Sequence, residues 1–505
     1  MKKTPAIGIV LFVVQFSMGY AQTDLDALSL KYARQSLPAF KELLSLPNDA
    51  HFPADILQNV QWCEQAFQQR GFATQRLETT TVPLLLATRP SLVETEKTVL
   101  AYLQIDGQPV DPSFWFQESP WKPVLKKEVP GEGWVEIPWE SLEKDWDPEW
   151  RIFARSTSDA KGPAVAFLAA LDALAETNTA IPYHLKVIMD FEEELGSPRL
   201  PAAVQAYREA LKADVLVIFD GPNHVSNEPT LSFGARGIAD VTITVYGPYF
   251  PQHSGHYGNY CPNPALQLAQ LLASMKDEQG RVTIPGFYEG IALDEPTRNI
   301  LASVPDDERY IQSKLGIAQP DQVAANLQEA LQYPSLNIRG MQSGWIGEEA
   351  RTIIPATATA EIDVRLVMES DPERLIQLIR DHVQAQGFTV LDHAPNALER
   401  NQYAKICRFD YSVSYKAFRT ELDSEAGLWL SKAMHKAFGK EPIKIRTAGG
   451  SIPISPFVTA LDIPAVAVPT VNPDNNQHSP NENIRLGNYQ DAIKAMIVIL
   501  SEAMK

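Results

Sequence analysis

Cysteine is scarce in this chain of 505 residues: only Cys63, Cys261 and Cys407. Three thiols so widely spaced form neither a paired disulfide framework nor a zinc knuckle. They read as small buried apolar groups, and the fold is expected to rest on its core. Cations are short as well, with 44 Lys plus Arg against 62 Asp plus Glu and a formal net charge of −18. Duplex nucleic acid and anionic membranes both demand surplus positive charge, so neither is expected as a partner. Beyond the first two dozen residues no apolar run approaches the roughly 18 residues of a membrane span. Repeats and low-complexity tracts are missing too. What is there, 45% apolar and 21% charged residues with nine Trp, is the composition of a packed globular chain. The length suggests two or three domains.

The amino terminus carries an address. Lys2 and Lys3, the apolar run 6–14 and the small residues Gly19 and Ala21 read as an export signal, 1–21, cut after Ala21. Nine apolar residues make a helix of only about 13.5 Å, too short to span a bilayer. The mature protein is therefore expected to be secreted or periplasmic, with no membrane anchor after cleavage.

From residue 98 the pattern is α/β. Apolar strands are expected at 99–105, 185–189 and 215–219, with an amphipathic helix over 163–176. Continuous apolar runs bounded by acidic residues and separated by helices read as central parallel strands covered on both faces. Six Trp fall between Gly107 and Arg151, a stretch without clear periodicity that reads as a packed surface excursion. From Phe233 the order changes to strand 239–245, a helix from Pro264, strands 335–338 and 358–367, a helix capped by Asp371-Pro372, and strand 388–391. That is the ferredoxin-like β-α-β-β-α-β order with a roughly 55-residue insertion after its first helix. The α/β pattern then resumes, with a helix over 425–438, a strand at 465–468 and a closing helix near 493–500. The expected fold is a mostly parallel α/β domain in two segments, 22–232 and 413–505, with a smaller α+β domain, 233–412, inserted between them.

Acidic residues close the apolar strands: Asp106, then Glu192-Glu193-Glu194, then Asp220. Ligands bind outside the carboxyl ends of parallel strands, so these groups are expected to share a crevice. Clustered carboxylates repel each other, and a metal cation resolves the conflict. Asp159 before a helix, His253 in His253-Ser254-Gly255-His256, and His478 in a polar loop add to the set. Taken singly, each of these reads equally well as a cap, a turn residue or a solvent-facing side chain.

The order of the motifs is more specific. Asp106 after a strand, Ser158-Asp159-Ala160-Lys161-Gly162, Glu193-Glu194-Leu195-Gly196-Ser197, Asp220, His253-Ser254-Gly255, Arg351-Thr352-Ile353-Ile354-Pro355, Gly449-Gly450-Ser451-Ile452-Pro453 and His478-Ser479-Pro480-Asn481-Glu482 together resemble peptidase family M20, the carnosinase-like dinuclear metallopeptidases. The resemblance implies that the inserted domain is a lid and dimerisation domain. It implies two divalent metal ions, with zinc expected and Mn or Co as alternatives. Asp159 would bridge them, Glu194 and His478 would complete one site, and Asp220 would help hold the other. Glu193 would be the general base and Asp106 would orient a ligand, with Glu192 an outside candidate for the glutamate register. His253, reaching across a homodimer, would stabilise the oxyanion, and Thr352, Arg365 and Ser451 would hold the substrate's carboxylate end. Arg365 also reads as a salt-bridged arginine of a sheet.

One position departs from the family pattern. Where a metal-binding His stands two residues before the aspartate, this chain has Gln104. A neutral amide oxygen is a poorer partner for zinc than imidazole, so the Asp159/Asp220 site is expected to be weak or empty. The implied activity is metal-assisted hydrolysis of an amide bond in dipeptides or short peptides with a free C-terminal carboxylate. An N-acyl amino acid deacylase and a catalytically impaired metal- or peptide-binding protein are the alternatives.

Overall fold

The computed structural model describes residues 22–450 and 452–504; the expected signal at 1–21 and the candidate Ser451 lie outside the described residues. At the centre is an eight-stranded sheet in the order Ala73–Leu77, Leu84–Arg89, His184–Asp190, Thr98–Gln104, Val215–Ile218, Ala465–Ala467, Thr230–Ser232 and Ile443–Ile445. The four middle strands are mutually parallel, and antiparallel pairings border them on both sides. The sheet is therefore mixed around a parallel centre. Alternate residues of one strand feed two different cores, as the two-residue period of a strand requires. Val99, Ala101 and Leu103 pack with Phe167 and Leu171 of helix Lys161–Glu176 and with Ile493 and Ile497 of helix Leu486–Ser501. Leu100 and Tyr102 pack on the opposite face with Ile188, Ile218 and Phe457. Coverage on both faces explains why these strands lack polar alternation. Because the middle strands are parallel, their carboxyl ends at Gln104, Asp190, Ile218 and Ala467 lie on one edge.

A second sheet has its own core. Its order is Ser335–Gln342, Thr357–Leu366, Gly237–Tyr246, Ile406–Tyr415 and Thr389–Leu391. Helices Pro264–Ala273 and Pro372–Ala385 pack Leu268, Leu271, Ile376 and Ile379 against Val241, Ile243, Ala360 and Ile362. Asp371 caps the second of these helices by accepting the Arg374 N–H at 2.8 Å, with Pro372 at its first position. The β-α-β-β-α-β order is present, with one strand more than expected. Ile406–Tyr415 lies between the first and last of those strands and runs through the expected boundary at 412. It alternates Cys407 and Phe409 with Arg408 and Asp410, so it offers no continuous apolar run to mark it.

The chain crosses between the two sheets at Gly234–Ala235 and again at Phe418–Arg419, and the crossings pair antiparallel. A Cβ at Gly234 would lie 2.6 Å from the Phe418 carbonyl, so this close approach requires glycine. The insertion after helix Pro264–Ala273 carries helices Glu295–Ala302, Glu308–Leu315 and Leu327–Ala330. It reaches back to the central sheet, where Arg446 and Thr447 donate to Gln332 Oε1 at 2.6 and 3.1 Å.

The Trp-rich stretch differs from its expected description. Its strands Val124–Val129, Gly133–Ile137 and Arg151–Phe153 join Asn483–Arg485 in a four-stranded sheet. Cations covering the indoles break the apolar pattern: Arg151 lies 4.6 Å from the ring of Trp134, and Lys41 lies 4.5 Å from that of Trp139. Pairing of Arg151–Phe153 with Asn483–Arg485 anchors the loop before it, which carries His478. Among the described residues, no helix is long and apolar enough to cross a membrane.

Gly162, in the first turn of helix Lys161–Glu176, has no room for a side chain. A Cβ there would lie 2.2 Å from the Thr157 carbonyl and 3.0 Å from Ile484 Cδ1. Gly162→Ala is expected to cost about 1–3 kcal/mol through overpacking. Thermal unfolding should read this as a melting temperature several degrees lower, and an unchanged value would show that the 157–162 turn yields freely.

Candidate metal centre

Four loops meet at the carboxyl edge of the central sheet, and buried carboxylates shape two of them. Glu482 accepts the backbone N–H groups of Ser156, Ser158 and Asp159, each at 2.9 Å, together with Ser158 Oγ at 2.8 Å and Arg155 Nη1 at 2.9 Å. Five donors on one carboxylate fix the backbone that presents Asp159, whose peptide bond to Ala160 is cis. Asp106, also buried, accepts the backbone N–H groups of Glu193 at 3.0 Å and Glu194 at 2.9 Å. Asp190 completes that turn, taking the Glu192 N–H at 3.0 Å and Ser197 Oγ at 2.6 Å. Gly196 closes it at φ +78°, a conformation glycine adopts without strain.

The ligand candidates converge above these turns. His478 Nε2 lies 2.9 Å from Asp159 Oδ2 and 3.3 Å from Glu194 Oε2. One ligand atom from each of Asp159, Glu194 and His478 falls within 4.8 Å of the other two. Two carboxylate oxygens and one imidazole nitrogen suit a divalent cation with positions left for water or substrate. Gln108 donates to the same oxygen, Glu194 Oε2, at 2.8 Å. Asp220, Glu193 and Gln104 line the same cavity, of about 460 Å³, with Asp159 and His478.

The electrostatics of the protein alone are those of an unbalanced site. Burial, then the charges of Asp220, Asp159, Glu194 and Asp106, hold the Glu193 carboxyl well above its ordinary range. Burial and the Asp159 charge push Glu194 up to about 8 and Asp220 up to about 7. The hydrogen bond to Asp159 raises His478 to about 9. Burial is the largest cause for the three carboxyls, and gathered negative charge adds to it and also raises His478.

Gln104 lies among these groups. Its Nε2 donates to Asp159 Oδ1 at 2.8 Å and to Glu193 Oε2 at 3.3 Å, while its Oε1 is buried without a partner. The side chain reaches the position where a ligand to a cation shared by Asp159 and Asp220 would stand, and its orphaned oxygen is a hard neutral donor that fits Mn²⁺ or Mg²⁺ better than zinc.

The remaining candidates sit elsewhere. Glu192 is buried and accepts Thr81 Oγ1 at 2.8 Å, so Glu193 is the glutamate that lines the cavity. Asp106 lies beneath the site, where it accepts the backbone N–H groups of Glu193 and Glu194. His253 and Thr352 are exposed neighbours on the second sheet's periphery, where the Ser254 N–H donates to the Thr352 carbonyl at 3.0 Å. Neither lines the metal-side cavity of their own chain. Arg365 is half-buried in strand Thr357–Leu366, with Nε 3.5 Å from Asp363 Oδ2. Sequence reasoning assigned no role to Glu482, Asp190 or Gln108. Glu482 stood inside the His478 motif, and Asp190 ends an apolar strand as Asp106 follows one, so both left a signal; Gln108 left none.

Comparison with known proteins agrees with this geometry. The model of peptidase family M20/M25/M40 matches residues 124–502. Over 427 residues the chain is 28% identical to the Cys-Gly metallodipeptidase of Schizosaccharomyces pombe, spanning 81% of this chain and 86% of that protein. It is 26% identical over 417 residues to the Beta-Ala-His dipeptidase of Homo sapiens, spanning 81% and 75%. Among solved structures, an M20 family metallo-carboxypeptidase from Sulfolobus solfataricus superposes with a TM-score of 0.75 at 26% identity, over 92% of this chain and 98% of that one. With a family match over most of its length and the donor set gathered at one edge, the chain belongs to peptidase family M20/M25/M40 and is a metallopeptidase.

Proposed function

We propose that the protein is an exported dipeptidase that hydrolyses the amide bond of dipeptides or short peptides with a free C-terminal carboxylate. The observation that carries this reading is the placing of Glu193 beside Glu194 on one turn, facing the cavity that Asp159, Asp220 and His478 also line. Asp159, Glu194 and His478 would hold one divalent cation, for which zinc is the first candidate, and Asp159, Asp220 and Gln104 would hold a second more weakly, where Mn²⁺ fits better. Such a cation lowers the pKa of a water and draws charge from the scissile carbonyl. Glu193 takes the proton of the attacking water and returns it to the leaving amine. Asp106 keeps Glu193 and Glu194 in register through their backbone N–H groups. Arg365 would receive the terminal carboxylate in a two-pronged pairing, and Thr352 and Ser451 would help hold the same end of the substrate. His253, exposed on its own chain, would reach the oxyanion of a second copy, making the working form a homodimer joined through the inserted domain. The dipeptidase names of the two curated relatives support the reaction and the substrate size.

Glu193→Gln tests the reading directly. Turnover of dipeptides should fall by roughly 10²–10⁴-fold, the span of general acid–base catalysis, with metal content unchanged by elemental analysis. If wild type and variant are equally inert with Zn²⁺, Mn²⁺ and Co²⁺, the hydrolase reading fails.

Gln104→His should raise zinc content and zinc-supported rate, because imidazole replaces the amide beside Asp159 and Asp220. Unchanged metal content and rate would show that residue 104 does not serve the metal.

Chelated protein should lose thermal stability as pH rises. Glu194 and Asp220 titrate near 8 and 7 when folded but near 4 when unfolded. Ionisation therefore favours the unfolded chain across that window. His478, held protonated to about 9, contributes stability that is full below its ordinary value near 6.5 and fades above it. Both effects run the same way, so with EDTA the melting temperature should be lower at pH 8.5 than at pH 5.5. Added metal should narrow the gap by taking the place of the protons. A melting temperature that rises over this range in EDTA would contradict the charge cluster.

A further inference from the structure

The cavity beside the metal centre has a second wall, and its chemistry is the opposite of the first. Away from Asp159, Glu193 and Asp220 it is built from Phe418, Ile445, Ala448, Ile452, Ala467 and Pro469. Among the described residues, no Lys or Arg lines it. We infer that this wall receives an aliphatic or aromatic side chain, which makes apolar dipeptides the preferred substrates; the inference rests on the dipeptidase reading above.

The polar groups on that side, Asn223 apart, are already satisfied by the protein. The Ser226 N–H donates to His224 Nδ1 at 3.2 Å, which sets the tautomer and leaves Nε2–H to donate to Asp306 Oδ1 at 2.8 Å. Both nitrogens of His224 are thereby engaged, and the ring offers the cavity neither a base nor a ligand. Thr230 Oγ1 accepts the His224 N–H at 2.9 Å and donates to the Glu228 carbonyl at 2.8 Å. Ser232 Oγ donates to the Gly234 carbonyl at 3.4 Å. Asn223, half-buried, alone among the described polar side chains of this wall has no hydrogen bond within the protein.

Asp306 belongs to the insertion of the second domain and is itself fixed by Gln328 Nε2 at 2.8 Å. The insertion thus turns the polar edge of His224 away from the cavity and leaves an apolar lining. At about 460 Å³ the space lies within the roughly 300–1,000 Å³ of small-molecule sites. An acidic side chain there would face Asp159, Glu193 and Asp220 with no cation of the wall to pair with. A basic one would lose its hydration against Phe418 and Ile445, the carboxylates being committed to the metal.

The test uses the full-length metal-reconstituted protein and two dipeptide series, X-Gly and Gly-X, with X as Ala, Leu, Phe, Asp and Lys. In the series that places X in this cavity, kcat/KM for Leu or Phe should exceed that for Ala by at least about 10-fold, since each buried methylene is worth roughly 10–200-fold. Asp and Lys should fall below Ala. Ile445→Asp should lower the Leu-to-Lys ratio, and Ala448→Val, a milder change that narrows the wall, should lower the Phe-to-Ala ratio. Hydrolysis that is brisk but flat across X, or led by charged residues, overturns the apolar assignment and leaves the dipeptidase reading standing. Ratios unmoved by both variants also overturn it. If neither series is cleaved with any metal, the dipeptidase reading fails and takes this inference with it.

Discussion

Repulsion among carboxylates governs the centre of this molecule. Asp159, Glu193 and Asp220 face one cavity, Glu194 stands beside His478 next to it, and Asp106 and Asp190 lie just beneath. A chain left to itself would move such groups apart, since each buried charge raises the cost of ionising its neighbours. Here the backbone prevents that movement. Glu482 holds the Asp159 loop with three N–H groups, and Asp106 holds the glutamate turn with two. The scaffolding carboxylates take several backbone hydrogen bonds each, whereas those above them have fewer donors and more negative neighbours, which a cation would offset. One kind of side chain therefore does two kinds of work, separated by which donors reach it.

Much of this was readable from the order of residues. The strands ending near Gln104, Asp190 and Ile218 are continuous apolar runs because both faces are buried, and burial on both faces is what marks a central strand in a sequence. The helix at Pro372 was equally plain, since an Asp cap followed by Pro is a strong local signal. The donor set Asp159, Glu194 and His478 spans more than 300 residues, and only the order of motifs gave it away; no local pattern could. What stayed hidden has physical causes. Strand Ile406–Tyr415 alternates too evenly with charge to look buried, and the Trp-rich strands are masked by cations lying on their indoles. How Asp106 acts, by accepting two backbone N–H groups, has no signature of its own in sequence, because an acidic residue after an apolar strand looks the same whether it touches a ligand or holds a turn.

The glutamine at position 104 shows how a site tolerates an unusual residue. Its amide bridges Asp159 and Glu193 by hydrogen bonds, so in the bare protein it relieves part of the repulsion that a cation would otherwise relieve. A neutral imidazole with its lone pair turned to a metal would be the stronger zinc ligand but would not donate to both carboxylates. The substitution exchanges affinity for zinc at one position against a network that holds together without it.

The two walls of the cavity come from different parts of the chain, and that division constrains how substrate could be read. The carboxylate wall is set by loops of the central sheet. The apolar wall includes Phe418, which sits on the crossing strand paired to Gly234, and it is finished by Asp306 reaching in from the insertion to turn His224 aside. Any rotation about the paired crossings would carry Asp306 relative to His224, and so couple the placement of the second sheet to the polarity of the pocket. The His224–Asp306 pair is buried on both sides, and each member has a further partner on its own segment, Ser226 for His224 and Gln328 for Asp306, so the contact ties the insertion to the wall of the pocket.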